Sequence, residues 1–101
     1  MSRRVRRAAT LAYRLRSAVA EQDRARLFLA ESAGQPDEAT YRRRARVTDR
    51  RARWATSRAR RALDRVPARD RADVDRRLQT LLRIDSILTS TSPAAVRRFL
   101  R

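Results

Sequence analysis

Small and apolar residues recur every three or four positions along most of this chain, which is the spacing that places them on one face of an α-helix. In residues 2–33 this face consists of Val5, Ala8, Ala12, Leu15 and Val19. Polar residues interrupt it at 21–24, so the helix either breaks there or turns that stretch to solvent. It resumes at 27–29. Ser2 suits an N-cap, and Gly34 suits the position just past the C-terminal end.

A second helix is predicted to begin with Pro36 at its first position and to run to about Val66, because Pro67 disfavours its continuation. Asp37 and Glu38 stabilise such a start through the helix dipole. Its inner face is made largely of small residues: Tyr41, Ala45, Thr48, Ala52, Ala55, Ala59, Ala62, Leu63 and Val66. Small residues allow another helix to approach closely, but each buries little area.

A third helix is predicted over residues 68–88, with acidic residues in its first turns. We expect it to carry most of the hydrophobic weight, on Val74, Leu78, Leu81, Leu82, Ile84, Ile87 and Leu88. Residues 89–92 are predicted as a linker, and Ser92-Pro93 as the start of a short last helix with Val96, Phe99 and Leu100. The predicted fold is therefore all-α: one domain over residues 1–101, a long helical hairpin plus a third helix and a short C-terminal helix.

The net charge of the chain indicates that this helical bundle has a binding partner. The chain has 27 basic residues, all of them arginine, against 11 acidic ones, and its net charge is +16. Residues 1–20 hold six arginines and no acid, and residues 41–66 hold eleven arginines and two acids. Such an excess repels itself and is relieved by a polyanion, of which nucleic acid is the most available in a cell.

The basic face of the second helix is the main candidate binding surface. A solvated face normally carries acids one turn away from its bases, but only Asp49 and Asp64 are available here. Contact with a polyanion is therefore the favoured interpretation, and a merely solvated face is the alternative. The predicted nucleic-acid-binding residues are Arg43, Arg46, Arg50, Arg51, Arg53, Arg58, Arg61 and Arg65, with Arg3, Arg4 and Arg7 of the first helix.

Trp54 lies away from the alanine face, on the same side as Val47 and between arginines. An exposed indole there can stack on a base or contact a partner protein. Alternatively, it covers the hydrophobic edge of the third or fourth helix.

Asp85 falls within the apolar sector of the third helix, where an ion pair with an arginine is the expected structural solution.

The composition argues against catalysis. Histidine and cysteine are absent, no glycine-rich phosphate loop exists, and the carboxylates resemble helix-start charges, so no enzyme activity, cofactor or metal is predicted. Zinc-finger, basic-zipper and ribonucleoprotein motifs are also missing, which leaves contacts to the nucleic-acid backbone. No apolar stretch is long enough to span a bilayer. The start imitates a twin-arginine export signal or a transit peptide, but arginines interrupt its apolar part, so we expect the first helix of a cytoplasmic protein.

In size, helical class and one-sided basic charge, the chain resembles the small subunits of class 1 CRISPR effector complexes. The resemblance covers the whole chain but includes no short motif, so it identifies no residue. It implies a non-catalytic subunit of a ribonucleoprotein complex in antiviral defence. Such a subunit contacts RNA or DNA through its backbone and packs against other subunits, including further copies of itself. The alternatives are a DNA-coating or architectural protein of a plasmid or phage, and a structural component such as a capsid-associated protein.

Overall fold

The computed structural model describes residues 1–90, and within them the fold is all-α, as predicted. Its elements are α1 (Arg3–Glu31), α2 (Glu38–Asp64), a 3₁₀ turn (Ala68–Asp70) and α3 (Arg71–Ser90). α1 and α2 form an antiparallel hairpin, and α3 packs against α1. The predicted linker is wrong for residues 89 and 90, which belong to α3. Residues 91 and 92 and the predicted C-terminal helix lie outside the described residues.

The predicted N-terminal end of α1 is confirmed, whereas its C-terminal end lies at Glu31, two residues before the predicted Ala33, with Ser32 as C-cap. The Ser2 hydroxyl accepts a hydrogen bond from the Val5 N–H at 3.2 Å, and Gly34 adopts a φ of 77°, which favours glycine after a helix end. α1 does not break at residues 21–24. That stretch is mostly exposed, and the Gln22 amide donates a hydrogen bond to the Asp49 carboxylate of α2 at 2.7 Å. The interpretation that this stretch faces solvent is therefore the right one.

Two predicted helix starts are wrong. Pro36 is not the first helical residue, because α2 begins at Glu38 with Asp37 as its N-cap. The Glu38 carboxylate accepts a hydrogen bond from the Gly34 N–H at 3.2 Å, so the loop closes onto the helix start. The third helix begins at Arg71 rather than at residue 68, since Pro67 is extended and the chain first turns back through the 3₁₀ turn.

The core is thin and consists mainly of alanine. The buried apolar residues are Val5, Ala8, Ala9, Leu11, Ala45, Ala52, Ala59, Ala62, Val66 and Val74. Most of them join the first half of α1 to the second half of α2. The Cα atoms extend over 52 × 37 × 17 Å, so the helices form a flat layer with little interior. The alanine face of α2 is thereby confirmed as the side that packs.

The prediction that the third helix carries most of the hydrophobic weight is wrong. Val74 is the only one of its predicted apolar residues that is buried within the described part, while Leu78, Leu81 and Leu82 are half-buried. Ile84 and Ile87 are 42% and 50% exposed, and the side chain of Leu88 lies outside the described set. Because α3 lies at the edge of the layer, only one side of its apolar face reaches the core. Val19 of α1 is also exposed, contrary to prediction.

Asp85 of α3 lies against Tyr13 of α1. A hydrogen bond to the Asp85 carboxylate raises the pKa of Tyr13 above its ordinary value of 10.0; desolvation and the negative charge of Asp85 act in the same direction, and a hydrogen bond with Ser17 opposes them. α3 thus meets α1 through a half-buried phenol–carboxylate contact. The predicted pairing of Asp85 with an arginine stays a prediction.

This contact predicts a loss of stability in alkali. The folded state holds the Tyr13 proton more tightly than the unfolded chain does, so this stabilisation is complete below pH 10 and is lost as the pH rises through the raised pKa. Tyr13→Phe removes the ionisation, and urea unfolding between pH 9 and 12 should then show a flatter pH dependence. Tyr41→Phe, at the other tyrosine, is the control and should keep the decline. An equal decline in the Tyr13→Phe variant would contradict the prediction.

Candidate nucleic-acid interface

The predicted binding arginines of α2 lie at the surface, and few carboxylates of the protein lie close enough to neutralise them. All eight are exposed except Arg58, which is half-buried. Of the eleven arginines in residues 41–66, only Arg42 has a carboxylate partner within the described part of the chain, namely Glu38 at 2.7 Å. Asp49 pairs with Arg26 of α1 instead, at 3.4 Å. The ion pairs that a solvated basic face normally carries are therefore almost absent from this helix.

The hairpin brings the basic start of α1 to the basic end of α2. A groove of about 740 Å³ is lined by Arg3, Arg6, Arg7, Thr10, Leu11, Arg14 and Arg58. It continues into a hollow of about 130 Å³ lined by Arg7, Leu11, Arg58, Arg61, Ala62 and Arg65. We call the two together the arginine groove. It contains seven arginines and no carboxylate, so its charge is concentrated on a concave surface.

The arginine groove unites five of the predicted residues and adds two that sequence reasoning missed. Arg3, Arg7, Arg58, Arg61 and Arg65 line it as predicted candidates. Arg6 and Arg14 were not predicted as binding residues. Their positions follow helical spacing, since Arg6 is three residues after Arg3 and Arg14 is seven residues after Arg7. That spacing was the available signal. Arg4, Arg46, Arg50 and Arg53 are exposed but line neither this groove nor the one described next.

A second groove lies farther along the same two helices. It measures about 570 Å³ and is lined by Glu21, Arg24, Ala25, Phe28, Thr40, Arg43, Arg44, Val47, Thr48 and Arg51. We call it the aromatic groove, because Phe28 is 51% exposed in it and stacks on Tyr41 with 5.8 Å between ring centroids. The Arg44 guanidinium lies 5.5 Å from the Tyr41 ring on α2.

Trp54 stands between the two grooves. It is 63% exposed, and the Arg58 guanidinium lies over its ring at 4.6 Å from the centroid. This exposure shows that the indole does not cover the edge of α3, which was the alternative prediction; a fourth helix lies outside the described residues. Val47, the other predicted contact, is half-buried in the aromatic groove.

A single row of α2 side chains connects the grooves. Its members are spaced alternately by four and three residues, which keeps them on one face of a helix: Val47, Arg51, Trp54, Arg58, Arg61 and the C-cap residue Arg65. From its first to its last member the row extends about 27 Å at 1.5 Å per residue. We call it the α2 row. Both grooves therefore follow one side of the seam between α1 and α2.

No three histidine, cysteine, aspartate or glutamate side chains in residues 1–90 lie close enough together to hold a metal ion. None of the helices in that range is long and apolar enough to cross a membrane.

Comparisons with protein-family models, with curated proteins and with solved structures found no match to this chain.

Proposed function

We propose that the protein is a non-catalytic subunit that binds the backbone of nucleic acid, RNA or DNA, with little regard to sequence. The observation that carries this proposal is the arginine groove, where seven guanidiniums from two helices meet without a carboxylate. Guanidinium stays charged at physiological pH and binds phosphate through two parallel hydrogen bonds. Bringing phosphates into the groove releases their counterions and relieves the repulsion between the arginines.

Tolerance of sequence follows from the side chains that line the groove. Asparagine and glutamine read adenine, but the chain has no asparagine, and none of its glutamines lines the groove. The arginines are arranged along a concave seam rather than on a helix that projects outward into a major groove. They are therefore suited to follow a phosphate backbone, which positions a nucleic acid without reading it.

The thin core supports a role inside an assembly. Leu27 is 64% exposed, and Val19 and Ile84 are 40% and 42% exposed, so a neighbouring subunit that covered them would remove apolar surface from water. The resemblance to small subunits of class 1 CRISPR effector complexes agrees with this role in size, helical class and charge. We propose a ribonucleoprotein complex of the cytoplasm as its setting. Residues 3–20 form the first part of α1 and contribute Val5 and Leu11 to the core.

Salt dependence tests the proposal. If all seven groove arginines neutralise phosphates, log affinity should fall linearly with log salt concentration with a slope of about −5 to −6. The measurement is fluorescence anisotropy with labelled oligonucleotides of equal length and scrambled sequence, between 0.05 and 0.4 M salt. A methylphosphonate oligonucleotide keeps the bases without the charges and is the control that should not bind. A preference of more than about a hundredfold for one sequence would overturn the proposed tolerance.

A further inference from the structure

Two exposed aromatic rings on the groove side of the hairpin are each held by a stacking neighbour. Arg58 lies over the Trp54 ring, and Tyr41 stacks on Phe28 with an interplanar angle of 18°. The indole is 63% exposed and the phenyl ring 51% exposed, so a large part of each remains open. Rings in this state are oriented before any ligand arrives, which lowers the entropic cost of binding.

Both rings lie next to an arginine-lined groove. Trp54 belongs to the α2 row and touches the arginine groove through Arg58. Phe28 stacks on Tyr41, which is thirteen residues before Trp54, or about 20 Å along α2. A strand of a few nucleotides spans such a distance.

We propose that this side of the hairpin binds a single strand of nucleic acid, with bases stacked on Trp54 and Phe28 and phosphates held by the arginines of both grooves. This inference rests on the proposed function and narrows its substrate class. Base-on-aromatic stacking beside a cationic groove is how single strands are held without sequence preference, because every base has a π face. In a duplex those faces are already stacked on neighbouring bases, so the rings favour single strands over duplexes.

Trp54 is the only tryptophan of the chain, and its fluorescence therefore reports on one defined site. We expect a single-stranded 12-mer to quench this emission strongly and a 12-base-pair duplex to quench it weakly. The DNA and RNA forms of the strand are separate arms of the titration and show which sugar is accepted. An abasic strand of the same length keeps the phosphates but offers no bases, and it should bind at least tenfold more weakly than the normal strand.

Substitutions at Trp54 and Phe28 test whether the bases stack on these two rings. Trp54→Ala and Phe28→Ala should each weaken binding of the single strand about tenfold or more, with little effect on the duplex. Leu27→Ala is the matched control, because Leu27 is an equally exposed apolar residue of α1 outside both grooves. Trp54→Phe keeps a ring and should recover much of the affinity. Circular dichroism of each variant confirms that the helices are retained.

The outcomes separate this inference from the proposed function. Salt-dependent binding that is equal for strand, duplex and abasic strand, with no effect of the ring variants, would overturn the stacking inference and leave backbone binding intact. The absence of salt-dependent binding to any of the three would overturn the proposed function itself. Quenching by the strand together with loss of affinity in Trp54→Ala, but not in Leu27→Ala, supports the inference.

Discussion

The triple variant Arg7→Gln, Arg61→Gln, Arg65→Gln should bind an oligonucleotide about a hundredfold more weakly than the natural chain at 0.1 M salt. The three arginines line the hollow of the arginine groove together and come from both helices of the hairpin. Each phosphate contact contributes about 0.7 to 0.9 to the slope of log affinity against log salt, so the slope should become shallower by about 2 to 3. Arg58 is left in place, which keeps its contact with Trp54.

A matched variant separates this effect from the loss of net charge. Arg69→Gln, Arg77→Gln, Arg83→Gln removes the same three charges from exposed positions in the 3₁₀ turn and α3, away from both grooves. Glutamine resembles arginine in helix propensity, and none of these six arginines has an ion pair within residues 1–90, so both variants should stay folded. An equal loss of affinity in the two triple variants would show that the groove has no special role.

Heating should reveal the second large effect, a rise of about 10–20 °C in melting temperature when an oligonucleotide is added at low salt. A ligand that binds mainly the folded state stabilises it by about 2.7 kcal/mol at a hundredfold excess over Kd. In a domain of this size each kcal/mol moves the melting temperature by about 4–8 °C. The free protein should melt broadly, because six of the ten buried apolar residues in the described part of the chain are alanine and the positive charges oppose compaction.

Circular dichroism at 222 nm with and without the oligonucleotide is the measurement. At 0.5 M salt the shift should nearly vanish, since screening weakens the binding that causes it. The triple variant of the arginine groove should show a smaller shift than its matched control. A sharp transition above about 65 °C that no oligonucleotide alters would mean that the chain folds as an independent, well-packed bundle, and the assembly role would lose its physical basis.

Local features of the amino-acid sequence were enough to predict several of the helix boundaries. The Ser2 cap, the left-handed Gly34 and the stop at Pro67 act within a few residues of themselves, so their effects are readable from sequence. The alanine face of α2 is likewise a property of helical spacing. The start of α2 was harder to predict from the sequence, because the hydrogen bond from the Gly34 N–H to the Glu38 carboxylate depends on how the loop closes.

The candidate site was only half visible in the sequence. The excess of arginine and the exposed face of α2 follow from composition and periodicity, whereas the exposure of Trp54 was one of two open alternatives until the structure placed it at the surface. The sequence did not show that Arg3 and Arg7 share a groove with Arg58. These residues are about fifty positions apart, and only the register of the hairpin brings them together. Faces made of alanine accept many registers, because small side chains interlock weakly.

Helical spacing and composition therefore predicted the three long helices of residues 1–90, the packing face of α2 and the positive sign of the surface charge. Tertiary structure alone decided which charges were neutralised: Asp49 pairs with α1 and not with the arginines of its own helix. It also decided that α3 lies at the edge of the layer, where its isoleucines stay exposed although their helical spacing predicts burial. The physical reason is the same in each case. Helix formation depends on neighbours within about four residues, whereas burial and ion pairing depend on which helices meet.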